Sequence, residues 1–439
     1  MPEQSKELRP DPPRRAAALR GSRAWPLYGA AFMMAISLSM AWTAMPFVLS
    51  NMGGTNAHVG YAPAVNTLAY MIALLVTGSR FGHLRVRRTT LAAATVALLA
   101  AAVMSFCVLW AELHVEASGR TWIWTLIAAG GVGGAAMALY WPFLMSWVSA
   151  DYEGVRLNRR FGRYNGAWSG GATIGPLIGG WLFEVNAVLP LLAAVVFVLL
   201  SLLLLSFGRD GSDREAGSLG GAGRVPASDV PLASFDMRLL ADCRWMSRVA
   251  LFSVCASYAI LRSQFALVFR DLGYGESQFG MYLTIYALCN FGALVAAGRW
   301  ALWHFKPALL LVSQALLLVT LFITIYGRTL SVFLISSVLL GTAYGFAYCS
   351  HLYYGASASR QRSARMAIHE IVISVGLTIG SFAGGYLAEH VGLYAPYWFA
   401  VGLVGLGAGA QMVIHVAARA RGGMAASAPA APDAEIGEP

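Results

Sequence analysis

The sequence predicts an all-α membrane protein whose twelve transmembrane helices form two six-helix halves related by pseudo-symmetry. Composition is the first reason: of 439 residues, 58% are hydrophobic and only 12% are charged, whereas about 25% of a soluble domain is charged. The second reason is a series of long apolar stretches, and the third is an internal repeat that links the two halves of the chain. Together these observations exclude a disordered chain, a disulfide-stapled scaffold and a typical soluble enzyme.

Twelve apolar stretches approach the roughly 20 residues that a helix needs to cross a bilayer. In the first half, the stretches without Asp, Glu, Lys or Arg are 24–79 (divided at the polar break 50–56), 89–111, 121–150, 164–183 and 185–208. In the second half they are 249–269 (interrupted by Arg262), 277–298, 307–327, 329–359, 371–388 and 390–418. The predicted organisation is a cytoplasmic N-terminal tail (1–23), an N-terminal half (24–208), a cytoplasmic central loop (209–245), a C-terminal half (246–418) and a disordered cytoplasmic tail (419–439). Residues 232–246 fit either a short surface helix or a solvated connector.

The distribution of positive charge predicts the orientation of these helices. With the N-terminus inside, the inside segments hold 27 Lys and Arg residues and the outside loops hold 3, as the positive-inside rule requires. Residues 1–23 lack the features of a cleaved signal peptide, so we interpret the first apolar segment as a retained span. We therefore predict a multi-pass protein of the cell (plasma or inner) membrane with both termini in the cytoplasm.

An internal repeat joins residues 160–184 to residues 365–389, which align without gaps at an offset of 205. Arginines, glycines and the final glutamates coincide: Arg160 with Arg365, Gly171, Gly175, Gly179 and Gly180 with Gly376, Gly380, Gly384 and Gly385, and Glu184 with Glu389. These segments are the predicted fifth and eleventh spans, so each is the fifth span of its half. Two six-helix halves in parallel repeat are a known transporter design, in which the substrate site lies between the halves near the midplane.

The fifth span carries the pattern by which the chain resembles the major facilitator superfamily. Its glycines and one proline match the family's fifth-helix pattern at every position: Gly162, Gly171, Gly175, Pro176, Gly179 and Gly180. The resemblance covers about residues 24–418 and implies the family's fold and its alternating-access transport, and in the family this pattern is associated with antiporters and efflux pumps. Glycines at four-residue spacing give a flat helix face along which a neighbouring helix can slide, and a proline can bend the helix. We therefore assign these residues, with their counterparts in the eleventh span, to helix packing and gating.

The family's other signature, in the loop after the second span, is incomplete here. Residues 78–88 keep a glycine and several basic residues, among them Arg80, but they lack the family's acidic residue; Gly82 or His83 stands near its place. In the family that carboxylate belongs to a charge network that latches the two halves together. Arg80 is therefore a predicted gating residue without that acidic partner.

Arg262 is the one charged residue inside the seventh predicted span. It lies eight residues before Arg270, roughly 12 Å deeper at helical rise, and a charge at bilayer depth costs several kcal/mol. Its guanidinium suits an anion or a carboxylate; alternatively, the side chain snorkels to the outer interface. Tyr258, on the same helix face, and Gln264 complete this part of the predicted substrate cavity.

Glu370 lies at the start of the eleventh predicted span, one residue before its apolar stretch, and with the adjacent His369 it is the candidate for proton coupling. A half-buried carboxylate with a raised pKa can carry a coupling proton. The alternative is an interfacial partner for the loop arginines, because Glu370 lies only five residues after Arg365.

Aromatic residues are the main candidates in the spans that, by resemblance to the family, line the cavity: the first, fourth, seventh and tenth. The candidates there are Trp42, Tyr140, Trp141, Tyr344, Tyr348 and His351. The alternative for each is a packed aromatic core or an interfacial belt, and a lone histidine is often a neutral hydrogen-bonding group. The first and fourth spans contain no acidic residue, which weighs against a strongly cationic substrate.

These residues favour a secondary transporter of a small organic solute, anionic or amphipathic, working by proton-coupled efflux or antiport. An uptake permease or facilitator of the same fold is the alternative within this class. A membrane-embedded sensor or enzyme is a remote alternative, because no nucleophile, nucleotide loop or metal cluster is readable and the five cysteines form no CxxC pair. We predict no cofactor and no nucleic-acid partner; the expected partners are the substrate, the lipid bilayer and protons, and the expected state is a monomer.

Overall fold

The computed structural model describes residues 24–78, 83–114, 119–149, 154–208, 237–357 and 362–420. Within these ranges the chain forms twelve long α-helices, numbered here in chain order. The first six are α1 (Trp25–Asn51), α2 (Asn56–Gly78), α3 (Val86–Leu113), α4 (Gly119–Ser149), α5 (Gly154–Val185) and α6 (Leu189–Ser206). The second six are α7 (Met237–Asp271), α8 (Glu276–Arg299), α9 (Ala308–Tyr326), α10 (Leu330–Ala356), α11 (Arg362–His390) and α12 (Ala395–Ala420).

The helix lengths and composition confirm the predicted all-α membrane fold. Eleven of these helices are long and apolar enough to cross a membrane. The exception is α5, which has 32 residues but carries arginines and other polar side chains in its first turns. The predicted N-terminal tail, most of the predicted central loop and the predicted C-terminal tail after Ala420 lie outside the described residues.

The largest difference from the predicted boundaries is at the start of α7. This helix begins at Met237, so residues 237–245, which the sequence assigns to the central loop, form its first turns. Arg238, Asp242, Arg244 and Arg248 precede the apolar stretch 249–269, but they already belong to the helix. A helix can continue beyond the hydrocarbon region, because charged side chains are solvated there.

The two six-helix halves are packed in equivalent ways. In the first half α1 packs against α5 and α6, and in the second half α7 packs against α11 and α12. The pair α3 and α4 likewise corresponds to the pair α9 and α10. Between the halves, contact runs mainly along α2 with α11 and along α5 with α8. This arrangement is what the internal repeat predicts.

Successive helices run antiparallel, so the helix ends lie on two faces of the bundle. The face at which α1 begins and α2 ends carries most of the described arginines, including Arg85, Arg159 and Arg299, and we call it the basic face. The opposite face carries the ends of α5 and α11, where Glu184 and Glu389 lie.

Candidate functional site

A cavity of about 410 Å³ lies between the two halves and is lined by α1, α2, α7 and α11. Of the residues predicted to bind substrate, Trp42, Tyr258 and Arg262 line it. Pro46 of α1 and Pro63 of α2 also line it. A proline inside a helix removes one backbone hydrogen bond, so both helices can bend beside this cavity.

Arg262 supplies a positive charge to the cavity. Its side chain is partly buried, and its guanidinium carbon lies 6.0 Å from the centre of the Tyr258 ring. Within the described part of the chain, no carboxylate pairs with Arg262 or lines the cavity. The guanidinium donors are therefore available to a ligand, since Arg has five N–H groups and no acceptor of its own.

Three tyrosines form one wall beside Arg262. Tyr258 stacks on Tyr286 with ring centres 4.5 Å apart, and Tyr344 meets both rings edge-on at 5.4 and 5.8 Å. The Cys255 thiol lies 3.5 Å from the Tyr344 hydroxyl. Tyr258 and Tyr344 were predicted site residues, whereas Tyr286 of α8 was missed, because the resemblance directs attention to the first, fourth, seventh and tenth spans.

Three other predicted cavity residues lie elsewhere in the structure. Tyr140 is fully buried inside the first half, where its hydroxyl donates to the carbonyl oxygen of Ala30 at 3.2 Å, and Trp141 packs edge-on against its ring. Gln264 is fully buried, and its amide nitrogen donates to the carbonyl oxygen of Asn56 at 3.4 Å. Gln264 thus joins α7 to the start of α2 near the opposite face.

A titratable cluster lies between the halves, nearer the basic face. Glu370 of α11 faces Tyr70 of α2, and their side chains are close enough for a hydrogen bond from the tyrosine hydroxyl. Tyr164 of α5 and Tyr348 of α10 lie in the same electrostatic environment. Glu370 is therefore placed at a boundary between the halves, where relative motion would change its surroundings. Tyr70 and Tyr164 were not predicted, since neither stands out in an aromatic-rich sequence.

Two buried histidines form a pair next to this cluster. The Nδ1 atoms of His351 and His369 lie 2.8 Å apart, so one nitrogen must donate and the other must accept. Tyr348 packs edge-on against the His369 ring at 4.6 Å. The Nε2 atom of His369 is buried and has no hydrogen-bond partner in the described structure. The predicted residues His351, His369 and Tyr348 are thus brought together.

The glycines of α5 let it approach α1 at backbone contact. A Cβ at Gly171 or Gly175 would overlap backbone carbonyl oxygens of Phe32 or Ile36, and one at Gly179 would overlap Met40. Gly180 instead faces the other half, where a Cβ would overlap the backbone of Glu276 in α8. Pro176 lies at the same interface, since its carbonyl oxygen contacts Gly280 of α8.

The glycines of α11 reproduce this arrangement in the second half. A Cβ at Gly376 or Gly380 would overlap α7 at Cys255 or Ala256, and one at Gly384 would crowd Ile260. Gly385 faces the other half, where a Cβ would lie 2.8 Å from the Cα of Gly60 in α2.

Charged side chains tie the halves together at the opposite face. The Glu184 carboxylate accepts hydrogen bonds from the backbone N–H of Ser277, at 3.0 Å, and from its hydroxyl, at 2.7 Å. The Glu389 carboxylate accepts one from the backbone N–H of Asn56 at 2.9 Å. Ser277 and Asn56 stand at the starts of α8 and α2, so each carboxylate caps a helix of the other half. We call this pair of contacts the carboxylate latch.

Arg270 adds a third link at the same face. Its guanidinium donates to Ser50 and Asn51 at the end of α1, at 3.2 and 3.0 Å, and pairs with Glu276 of α8 at 3.0 Å.

The last two predicted gating residues are Gly162 and Arg80. At the basic end of α5, Gly162 is exposed and a Cβ there would contact nothing within 4 Å. Arg80, the remaining predicted gating residue, lies outside the described residues.

Solved structures share this architecture. A peptide-bound POT family transporter is 14% identical, with a TM-score of 0.66, and the alignment covers 90% of this chain and 96% of that one. The nucleoside transporter NupG is 13% identical, with a TM-score of 0.62 and coverage of 89% and 98%. A bacterial homolog of the human lysosomal transporter Spinster is 11% identical, with a TM-score of 0.62 and coverage of 92% and 98%. At these identities the likeness concerns the fold alone.

No curated protein matches the chain. The sequence profile of the Major Facilitator Superfamily matches residues 27–261 and 248–423, which is most of the sequence. The family consists of membrane transporters, and the pseudo-symmetric halves around a central cavity agree with it. The protein therefore belongs to the major facilitator superfamily and is a multi-pass membrane transporter rather than an enzyme.

Proposed function

We propose that the protein is a secondary transporter that moves a small anionic or amphipathic organic solute by alternating access, as a proton-coupled exporter or antiporter. Arg262 is the observation that carries this proposal. It is a cation in the cavity between the halves, and no described carboxylate pairs with it. A charge in a membrane span is costly, so a charge that is retained there indicates a function.

The chemistry around Arg262 fits a solute with an acidic group and an apolar or aromatic body. Guanidinium binds carboxylate or phosphate through two parallel hydrogen bonds. Tyr258 and Trp42 line the same cavity and offer flat aromatic surface to the rest of the solute. The neighbouring structures, described as peptide and nucleoside transporters, are consistent with a polar organic substrate.

Alternating access follows from where the halves touch. They are joined at the opposite face by the carboxylate latch and by the contacts of Gly180 and Gly385. Breaking these contacts while the basic ends of the helices close would expose the cavity to the other side. With the predicted orientation, both termini lie on the cytoplasmic side of the plasma or inner membrane, and a monomer suffices for this motion.

Proton coupling is assigned to Glu370. It faces Tyr70 across the boundary between α11 and α2, so separation of these helices would change its solvation and its hydrogen bonding, and with them its proton affinity. The buried pair of His351 and His369 places two more titratable side chains close by. A carboxylate whose environment alternates with the transport cycle is what coupling requires.

Export is favoured by the glycine and proline pattern of α5, which in the family accompanies antiporters and efflux pumps. Uptake by a permease or facilitator is the alternative. Flux in proteoliposomes with an imposed pH gradient distinguishes them. In an antiporter, protons that leave an acidic lumen drive the solute in, so the solute accumulates inside above its outside concentration. A facilitator only brings the two solute concentrations to equality.

Binding by the purified protein tests the role of Arg262 directly. A thermal-shift screen of organic acids, neutral solutes and cationic amphiphiles should show stabilisation by acids, because a ligand of the native state raises the melting temperature. Arg262→Ala should weaken acid binding by at least about 30-fold, the loss typical of removing one partner of a buried charge pair. Arg262→Lys should give an intermediate loss, since it keeps the charge but not the planar fork.

Arg299→Ala is the matched control, because Arg299 is exposed at the basic face away from the cavity. It should bind acids as the wild type does. Full-affinity acid binding by Arg262→Ala, with normal folded yield, would contradict the proposal and would leave Arg262 a structural residue.

A further inference from the structure

A second cavity, of about 200 Å³, lies within the C-terminal half at the basic face, between α7, α10 and α11. Arg244 and Arg248 of α7, His351 of α10 and Arg365 of α11 line it. We call it the basic pocket. It is separate from the cavity between the halves, with which it shares no lining residue.

The basic pocket concentrates positive charge without a described counter-ion. The charges of Arg248 and Arg365 both act on Arg244, and that of Arg365 also acts on Arg248. Among the described residues that line the pocket, none is acidic. Like charges gathered at one site repel each other, so an anion that entered the pocket would relieve the repulsion between three arginines.

Two of the three guanidinium groups have N–H donors that are available to a ligand. Arg244 is engaged in the fold, because it donates to the carbonyl oxygens of Tyr354, at 2.8 Å, and Ser357 at the end of α10. Arg248 lies over the Trp245 ring at 4.5 Å. Neither Arg248 nor Arg365 hydrogen-bonds or ion-pairs with any described residue. A buried or half-buried guanidinium normally finds such partners.

The internal repeat explains why Arg365 is left unused. Its counterpart in the first half, Arg160, donates from Nε to the carbonyl oxygen of Val148 at the end of α4, at 2.9 Å. In the second half the equivalent carbonyl groups, at the end of α10, are taken by Arg244 from α7 instead. Arg365 therefore faces the pocket rather than the helix end, and it makes no packing contact of the kind that Arg160 makes.

The small size of the pocket and its position at the membrane interface indicate what it binds. Seven residues line the pocket, a set that suits one small anion rather than a whole organic solute. Trp245, next to the pocket at the start of α7, is 59% exposed, as tryptophans at a membrane interface are. Basic pockets between transmembrane helices at this level suit phosphate head groups.

We propose that the basic pocket binds a phosphate group at the membrane interface, held by Arg248 and Arg365. The phosphate ester could be supplied by the head group of an anionic phospholipid or by a soluble phosphate ester. Both sources present the same oxygens to the two guanidinium groups, so a direct comparison of the two identifies the source.

Binding to the purified full chain in detergent micelles tests the proposal. The probes are phosphatidylglycerol, phosphatidylcholine with the same acyl chains, glycerol 3-phosphate and inorganic phosphate, and the readouts are melting temperature and apparent affinity. The double variant Arg248→Gln/Arg365→Gln should lose on the order of 20–30-fold in affinity for the phosphate probe, at about 1 kcal/mol for each basic residue near the surface. The matched control is Arg163→Gln/Arg299→Gln, which removes the same charge from two exposed arginines of the basic face.

The source follows from which probe shows the loss. Stabilisation by phosphatidylglycerol, without an effect of glycerol 3-phosphate or inorganic phosphate, identifies a lipid head group; an equal effect of the soluble probes identifies a soluble phosphate ester. An equal loss in the control variant, or no loss in the pocket variant, would overturn the proposal. The single variant Arg365→Gln serves as a check if the double variant folds poorly, and it should lose about fivefold.

Discussion

The carboxylate latch is the feature whose removal should most directly move the protein between its two states. Glu184 and Glu389 occupy equivalent positions of the repeat, and each accepts hydrogen bonds at the start of a helix in the other half. Replacing each with Gln keeps an acceptor oxygen but removes the charge. A hydrogen bond to a charged group contributes about 1 kcal/mol more than a neutral one, and a negative charge at a helix N-terminus contributes about 0.3–1 kcal/mol.

Both carboxylates belong to exposed residues, so we assign about 1 kcal/mol to each after allowing for solvent screening. One substitution should then raise the population open at the opposite face about fivefold relative to the closed one. The two sites lie on different helices and share no contact, so their effects should add. The double variant Glu184→Gln/Glu389→Gln should therefore shift the ratio on the order of 25–30-fold.

Spin-label distance measurements can read that ratio. Leu113, at the end of α3, and Tyr326, at the end of α9, are exposed at the opposite face in different halves. Labels on Leu113→Cys and Tyr326→Cys, in a background without reactive native cysteines, should show a longer-distance population that grows in the double variant. Glu112→Gln removes an exposed carboxylate at the same face and should leave the distribution unchanged. An unchanged distribution in Glu184→Gln/Glu389→Gln would refute the latch.

Three further predictions use the same protein. Glu370→Gln should abolish the pH dependence of solute flux in proteoliposomes, whereas Glu112→Gln should keep it; a pH-dependent Glu370→Gln transporter would show that the carboxylate is structural. Gly385→Ala places a methyl group against α2 and should disfavour closure at the opposite face by about 1–3 kcal/mol, seen as a longer spin-label distance, whereas Gly162→Ala, which meets open space, should have no effect. Burial lowers the pKa of His304 below its ordinary value of 6.5, so the folded state favours the neutral ring and loses stability as pH falls below that value; His304→Gln should flatten the decline of melting temperature between pH 7 and 5, and an equally steep decline would contradict this.

The sequence predicted the helices well because their signal is one of length and composition. A span is apolar over most of its length, so the stretches could be located from the scarcity of charged residues. The same criterion failed at the first turns of α7, where Arg238 and Asp242 lie before the apolar stretch but inside the helix. Hydropathy reports the hydrocarbon boundary, whereas backbone hydrogen bonding decides where the helix stops.

The site was predicted less completely, because it depends on which face of each helix meets the cavity. Arg262 was recognisable, since a charge in a span is rare enough to be noticed on its own. Tyr286 and Tyr70 were not, because the sequence has 18 tyrosines and nothing local separates those at the cavity from those in the core. Tyr140 illustrates the converse: its spacing fitted the cavity, but its hydroxyl bonds within the first half. The face that a helix turns toward the cavity depends on its rotation about its own axis, and tertiary packing sets that rotation.

The glycine contacts give a register between α1 and α7 that the linear repeat does not reveal. Gly179 packs on Met40 in the first half, and its counterpart Gly384 packs on Ile260 in the second. Two positions further along each helix, Trp42 therefore corresponds to Arg262.

These two side chains line the same cavity from opposite halves. The pseudo-symmetric frame thus presents an indole on one side and a guanidinium on the other. A rocking motion needs the frame to be symmetric, since both ends of the cavity must be able to close in similar ways. Recognition needs the lining to be asymmetric, because a solute with a charged and an apolar end can then bind in one orientation. On this reasoning Trp42→Arg should convert an amphipathic site into a doubly cationic one, with preference moving towards solutes that carry two acidic groups.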